Sequence, residues 1–123
     1  MDLSDFSKAQ REAVLDLLVL ATYLDRYLGE LEDERVKRLL VAMGYTNPYD
    51  REKAYQGSIT RMRQFAESPE LAHRKAAALA RVFTRQAQCR QVCAWLEELV
   101  SCDGHVSEPE KQFLDVLRDA FQV

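Results

Sequence analysis

Residues 6–28 read FSKAQREAVLDLLVLATYLDRYL, and their spacing decides the fold. Phe6, Ala9, Ala13, Leu17, Leu20, Leu24 and Leu28 recur every three or four residues and form one helical stripe, which Val14, Leu18 and Ala21 widen. A stripe this broad predicts a central helix covered on more than one side. It starts near Ser7, where Gln10 completes a capping box. Asp16 interrupts the most apolar stretch, Val14 to Leu24, which is shorter than the roughly 20 residues needed to cross a bilayer, so no membrane span is expected.

The same spacing continues outward. Gly29 ends the first helix, and Val36, Leu39, Leu40 and Met43 mark a second that Gly44 closes. Asn47-Pro48 starts a third, because Asn caps orphan amides and Pro at the first helical position gives up a donor that has no partner there. Its stripe is Tyr55, Ile59, Met62 and Ala66, with Gly57 as a point of weakness or division. Ser68-Pro69 repeats the start signal before Ala72, Ala76, Leu79, Ala80 and Phe83. A turn near Thr84 then leads to Cys89, Val92, Cys93, Leu96, Leu99 and Val100, and Gly104 interrupts. Ser107-x-x-Glu110, a capping box with Pro109 in the first turn, opens a last helix with Phe113, Leu114, Leu117, Ala120 and Phe121. No window alternates as a strand would. The expectation is an all-α, compact single-domain bundle of about six to seven helices spanning residues 1–123.

Only 4 Gly and 3 Pro punctuate the 123 residues, which excludes collagen-like and low-complexity classes. Three cysteines, an odd number, with no apolar leader behind a basic start, argue against a secreted disulfide scaffold and for a cytoplasmic location. The net charge of −3 hides a pattern: residues 1–50 hold 6 Lys and Arg against 10 Asp and Glu, residues 51–90 hold 9 against 3, and residues 91–123 hold 2 against 7. Helices of opposite sign lying side by side explain this most simply.

Sliding the sequence on itself by 78 residues superimposes the first helix-loop-helix on the last without a gap. Val14 meets Val92, Leu18 meets Leu96, Asp25 meets Asp103, Leu28 meets Val106, Glu30 meets Glu108, Glu32 meets Glu110, Val36 meets Leu114 and Leu39 meets Leu117. The inference is one unit used twice, over approximately 7–43 and 85–121.

Two accounts of the shared acidic elbow stand side by side. In the structural one, Asp accepts bonds from amides just ahead of it, the apolar residue fixes the loop to the core, and Glu32 or Glu110 caps the next helix. In the other, Asp25, Glu30, Glu32, Asp103, Glu108 and Glu110 form a pool of hard oxygen ligands for calcium, magnesium or manganese. Asp103 to Glu110 coincides with the second half of an EF-hand loop, but the opening ligands would be Leu99 and Ser101, so a true EF-hand is excluded.

The segment Trp95–Leu117, WLEELVSCDGHVSEPEKQFLDVL, resembles the Asp-Gly-x-Ile/Val-Ser-x-x-Glu signature of the TerB-like family of tellurite-resistance proteins, and Ala21–Leu40 resembles its degenerate first copy. The resemblance implies an all-α fold of two related helical hairpins, a role in tellurite resistance or stress response, and no catalytic activity. It also implies a divalent cation held by Asp103 and Glu110 in the second copy and by Asp25 and Glu32 in the first. The first copy departs from the signature: Arg26 stands in place of Gly and Gly29 in place of Ser, so its turn is built differently.

Other constellations read as packing or solvated surface. Cys89, Cys93, Cys102 and His105 do not have zinc spacing, and the first two lie on the apolar stripe of their helix. Cys102 and His105 lack a third catalytic group, and His73 is placed on a solvated face beside Arg74 and Lys75. Arg74, Arg81 and Arg85 lie at helical spacing, but without aromatic partners they are expected to pair with the acidic ends. Tyr23, Tyr27, Tyr45, Tyr49 and Tyr55 gather near loops and helix ends, as at protein–protein contacts. The expected function is therefore non-enzymatic: binding of a protein partner, with self-association into a homodimer as one form, and of a divalent cation. The alternative is a nucleic-acid-binding domain using residues 51–90.

Overall fold

The computed structural model describes the backbone of residues 6–24, 30–101 and 108–122, and the side chains of these except residues 24, 30–33 and 35. Among the described residues six α-helices follow one another: α1 (Lys8–Leu24), α2 (Glu30–Ala42), α3 (Pro48–Met62), α4 (Pro69–Ala80), α5 (Gln86–Val100) and α6 (Glu108–Phe121). A short 3-10 helix, Arg63–Glu67, joins α3 to α4, and no strand occurs among the described residues. The protein is an all-α bundle.

Local chemistry sets the boundaries. Ser7 and Gln10 form the reciprocal capping box: the Ser7 amide donates to Gln10 Oε1 at 2.9 Å, and the Gln10 amide donates to Ser7 Oγ at 3.2 Å. Asn47 accepts from the Tyr49 and Asp50 amides, and Ser68 accepts from the Leu71 amide, so both expected Asn/Ser-Pro starts are real caps. Each stabilises its helix by about 1 kcal/mol. Helix α2 closes in a Schellman arrangement, with the Tyr45 amide bonded to Leu40 O and the Gly44 amide to Val41 O. That closure needs the positive φ of Gly44, +103°.

Helix α1 is the centre. Every residue from Ala13 to Thr22 is buried, and α1 touches each of the other helices. Around it lie Val36, Leu40, Met62, Ala72, Ala76, Val92, Leu96, Phe113 and Leu117, all fully or nearly fully buried. The small face of α4, Ala72, Ala76 and Ala80, lets that helix approach α1 and α6 closely. One end of the bundle is closed by aromatic contacts: Phe6 on Phe83 at 5.9 Å, Phe6 on Trp95 at 5.6 Å, and Phe83 edge-on to Phe121 at 5.8 Å.

Several expectations need correction. Gly57 does not split α3, which runs unbroken to Met62. Ala9 and Ala120, assigned to apolar stripes, are exposed, one beside the start of α1 and the other beside the end of α6. Arg81 and Arg85 do not continue the face of Arg74, because α4 stops at Ala80 and the chain turns over residues 81–85. His73 is not on a solvated face. It is half-buried, its ring lies 6.5 Å from that of Phe113, and its Nε2 is buried with no hydrogen-bond partner among the described residues.

The helices superimposed by the 78-residue shift also coincide in register. Helix α1 begins at Lys8 and α5 at Gln86; α2 begins at Glu30 and α6 at Glu108. Val14 and Val92, Leu18 and Leu96, Val36 and Leu114, Leu39 and Leu117 are buried in both copies. Helix α1 packs on α5, and α1 packs on α6 as α2 packs on α5.

Candidate functional site

Of the four residues expected to hold a cation, Glu110 is fully described. It sits in the first turn of α6 with 0% of its surface exposed, beside Phe113 and Leu114 on the buried face of that helix. Glu32 belongs to α2, but its side chain, like all of Asp25 and Asp103, lies outside the described residues. The two elbows, with Tyr27, Cys102 and His105, fall there too. A carboxylate removed from water is costly unless charge or hydrogen bonds compensate it, by several kcal/mol in a protein interior. The first turn of a helix supplies unpaired amides and the positive end of the dipole, and a cation supplies the same compensation more strongly.

A second polar assembly lies between α1 and α3. Asp16 is the one charged side chain in the buried run of α1, and its Oδ1 accepts two hydrogen bonds from α3: one from Ser58 Oγ at 2.6 Å and one from Arg61 Nη2 at 2.8 Å. Ser58 is wholly buried. The Asp16 side chain is 9% exposed and that of Arg61 is 47% exposed, so the carboxylate is inside and the guanidinium reaches the surface. The hydrogen bond to Asp16 holds the Arg61 pKa above its ordinary value, against the opposing effect of its partial burial. Neither Ser58 nor the pairing was legible in the sequence, where Asp16 is only a break in an apolar run.

Arg61 forms part of the wall of an open cleft of about 700 Å³ between α1, the turn after α2, and α3. Leu15, Ala54 and Gly57 supply apolar surface, Tyr45 borders it, and Lys8, Glu12, Asp50 and Lys53 stand around it.

The remaining candidates are quieter. Cys89 and Cys93 are buried free thiols in the core, as expected. Burial pushes the Cys93 thiol up to about 11, with the charge of Glu97 adding to the effect and Arg118 opposing it. Arg118 pairs with Glu97 on α5 and with Asp115 on its own helix. Arg74 pairs with Glu70, and the Lys75 ammonium lies 4.9 Å above the Phe65 ring. Of the tyrosines, Tyr55 is buried, Tyr23 and Tyr45 pack partly against the core, and Tyr49 is exposed. No described helix is long and apolar enough to cross a membrane. Compared with protein-family models, with curated proteins and with solved structures, the chain matches none.

Proposed function

We propose that this chain is a non-enzymatic, TerB-like helical binding domain in which one helix-loop-helix unit is used twice, over approximately 7–43 and 85–121. Its acidic elbows hold a divalent cation, calcium, magnesium or manganese, and its surface engages a protein partner in the cytoplasm, in a tellurite-resistance or stress-response setting. The observation that carries the reading is the complete burial of Glu110, the last acidic residue of the Asp103-to-Glu110 signature. A desolvated carboxylate at the end of a run of oxygen-bearing residues is the arrangement that a hard cation stabilises.

Calorimetric titration of the chain with calcium, magnesium and manganese tests it, repeated on Asp103→Asn combined with Glu110→Gln. Heat with at least one ion in the wild type, lost in the double variant while helical content is retained, supports the proposal. No heat with any ion, or equal heat in the folded variant, removes the cation. Elution of the chain alone and after mixing with host-cell extract, followed by identification of any retained protein, addresses the partner.

A further inference from the structure

We propose that the cleft between α1 and α3 binds a small zwitterion bearing both a carboxylate and an ammonium group, the class to which free α-amino acids belong. Three features carry this.

The first is a positioned guanidinium. Asp16 and Ser58 are buried, and Asp16 engages Arg61 through Nη2. Nη1 is left on the side of Gly57, where an added methyl group would lie 3.4 Å from it. Glycine at that point keeps the wall open beside the guanidinium. An arginine held from behind by a buried carboxylate loses little freedom on gripping a second carboxylate in front.

The second is the balance of charge. Lys8, Lys53 and Arg61 line the cleft together with Glu12 and Asp50, and Asp16 stands behind Arg61. With Arg61 paired to Asp16 behind the wall, Lys8 and Lys53 on the walls are balanced by Glu12 and Asp50. Lys8, Lys53 and Asp50 take part in no ion pair among the described residues. A cleft of no net charge with uncommitted groups of both signs is complementary to a dipolar ligand, whereas a polyanion would meet Glu12 and Asp50 and a polycation would meet the lysines. In the bound state the ligand carboxylate lies toward Arg61 and Lys53, and its ammonium toward Glu12 or Asp50.

The third is size and lining. About 700 Å³ lies within the range of small-molecule pockets, and Leu15, Ala54 and Gly57 offer apolar surface for a short side chain.

None of the residues that line the cleft belongs to the acidic elbows, and its test is run in chelator so that the cation reading does not enter. The full chain is titrated with glycine, L-alanine, L-serine and L-glutamate, and with their N-acetyl and carboxamide derivatives, following backbone amide resonances. The expected result is saturable shifts around Arg61 and Lys53 with at least one free amino acid, weakened about tenfold or more when either end is blocked. Gly57→Leu fills the cleft beside the Arg61 guanidinium and should abolish binding while the melting temperature is kept; Lys53→Gln should weaken it. Absence of binding by all four amino acids, equal binding of the N-acetyl forms, or unchanged binding by folded Gly57→Leu would each overturn the proposal.

Discussion

Gln10 and Gln88, 78 residues apart, hydrogen-bond each other in both directions: Gln10 Nε2 donates to Gln88 Oε1 at 3.3 Å, and Gln88 Nε2 donates to Gln10 Oε1 at 3.4 Å. Each is the third residue of its helix. Two equivalent groups meet each other reciprocally where a two-fold axis passes between them, as at an isologous interface. The pair therefore sits where an internal two-fold relating α1–α2 to α5–α6 would lie. Gln10 also donates to Val82 O at 2.9 Å, which ties the start of α1 to the turn before α5. A double-mutant cycle with Gln10→Ala and Gln88→Ala should give a coupling energy of about 1 kcal/mol in urea unfolding. Additive losses would show that the pair contributes nothing of its own.

Removing Arg61 leaves Asp16 inside with Ser58 as its remaining described hydrogen-bond donor. Because the guanidinium is half exposed, the loss is smaller than for a fully buried pair. Arg61→Met should cost about 1–3 kcal/mol in chemical denaturation. Adding Asp16→Leu and Ser58→Ala to it should restore most of that loss, since no buried charge then remains.

The two described glycines should respond to alanine with opposite signs. Nothing lies within 4 Å of a methyl group at Gly44, so the penalty there comes from its φ of +103° alone. Gly44→Ala should destabilise by about 1–2 kcal/mol. Gly57 lies inside α3, and Gly57→Ala should stabilise by up to about 1 kcal/mol. Thermal melts of the two variants beside the wild type distinguish the signs directly.

How much was legible in the sequence follows from where the determinants lie. Asn47-Pro48 and Ser68-Pro69 carry their capping partners within three residues, so the starts of α3 and α4 could be read locally. The turn over residues 81–85 has no glycine or proline, and Arg85 precedes α5 without a side-chain cap, so only Thr84 hinted at it. Asp16 looked like an interruption because its partners, Ser58 and Arg61, are 42 and 45 residues away. Half-burial of His73 depends on the packing of α4 against α6 and has no local signature. Glu110 was legible as a first-turn acid, while its complete removal from solvent is a tertiary property.

Cys93 sets a pH dependence at the alkaline end. Its thiol is pushed up to about 11, chiefly by burial, so the folded chain holds that proton more tightly than the unfolded chain does. The stabilisation is fully present below the unfolded thiol's pKa, about 8.5, and is lost as pH rises through the folded value. The stability difference between wild type and Cys93→Ala should therefore shrink above about pH 9. At about pH 8 a thiol-specific reagent should label Cys93 in the folded chain far more slowly than in urea, because the thiolate is the reacting form.

The cation reading is tested most directly by manganese. In amide spectra of the isotope-labelled chain, substoichiometric manganese should broaden resonances of residues 25–32 and 103–110 together, and excess magnesium or calcium should reverse it. Broadening spread evenly over surface acids such as Glu52, Glu70 and Asp119, with both elbows no more affected than these, would contradict the account.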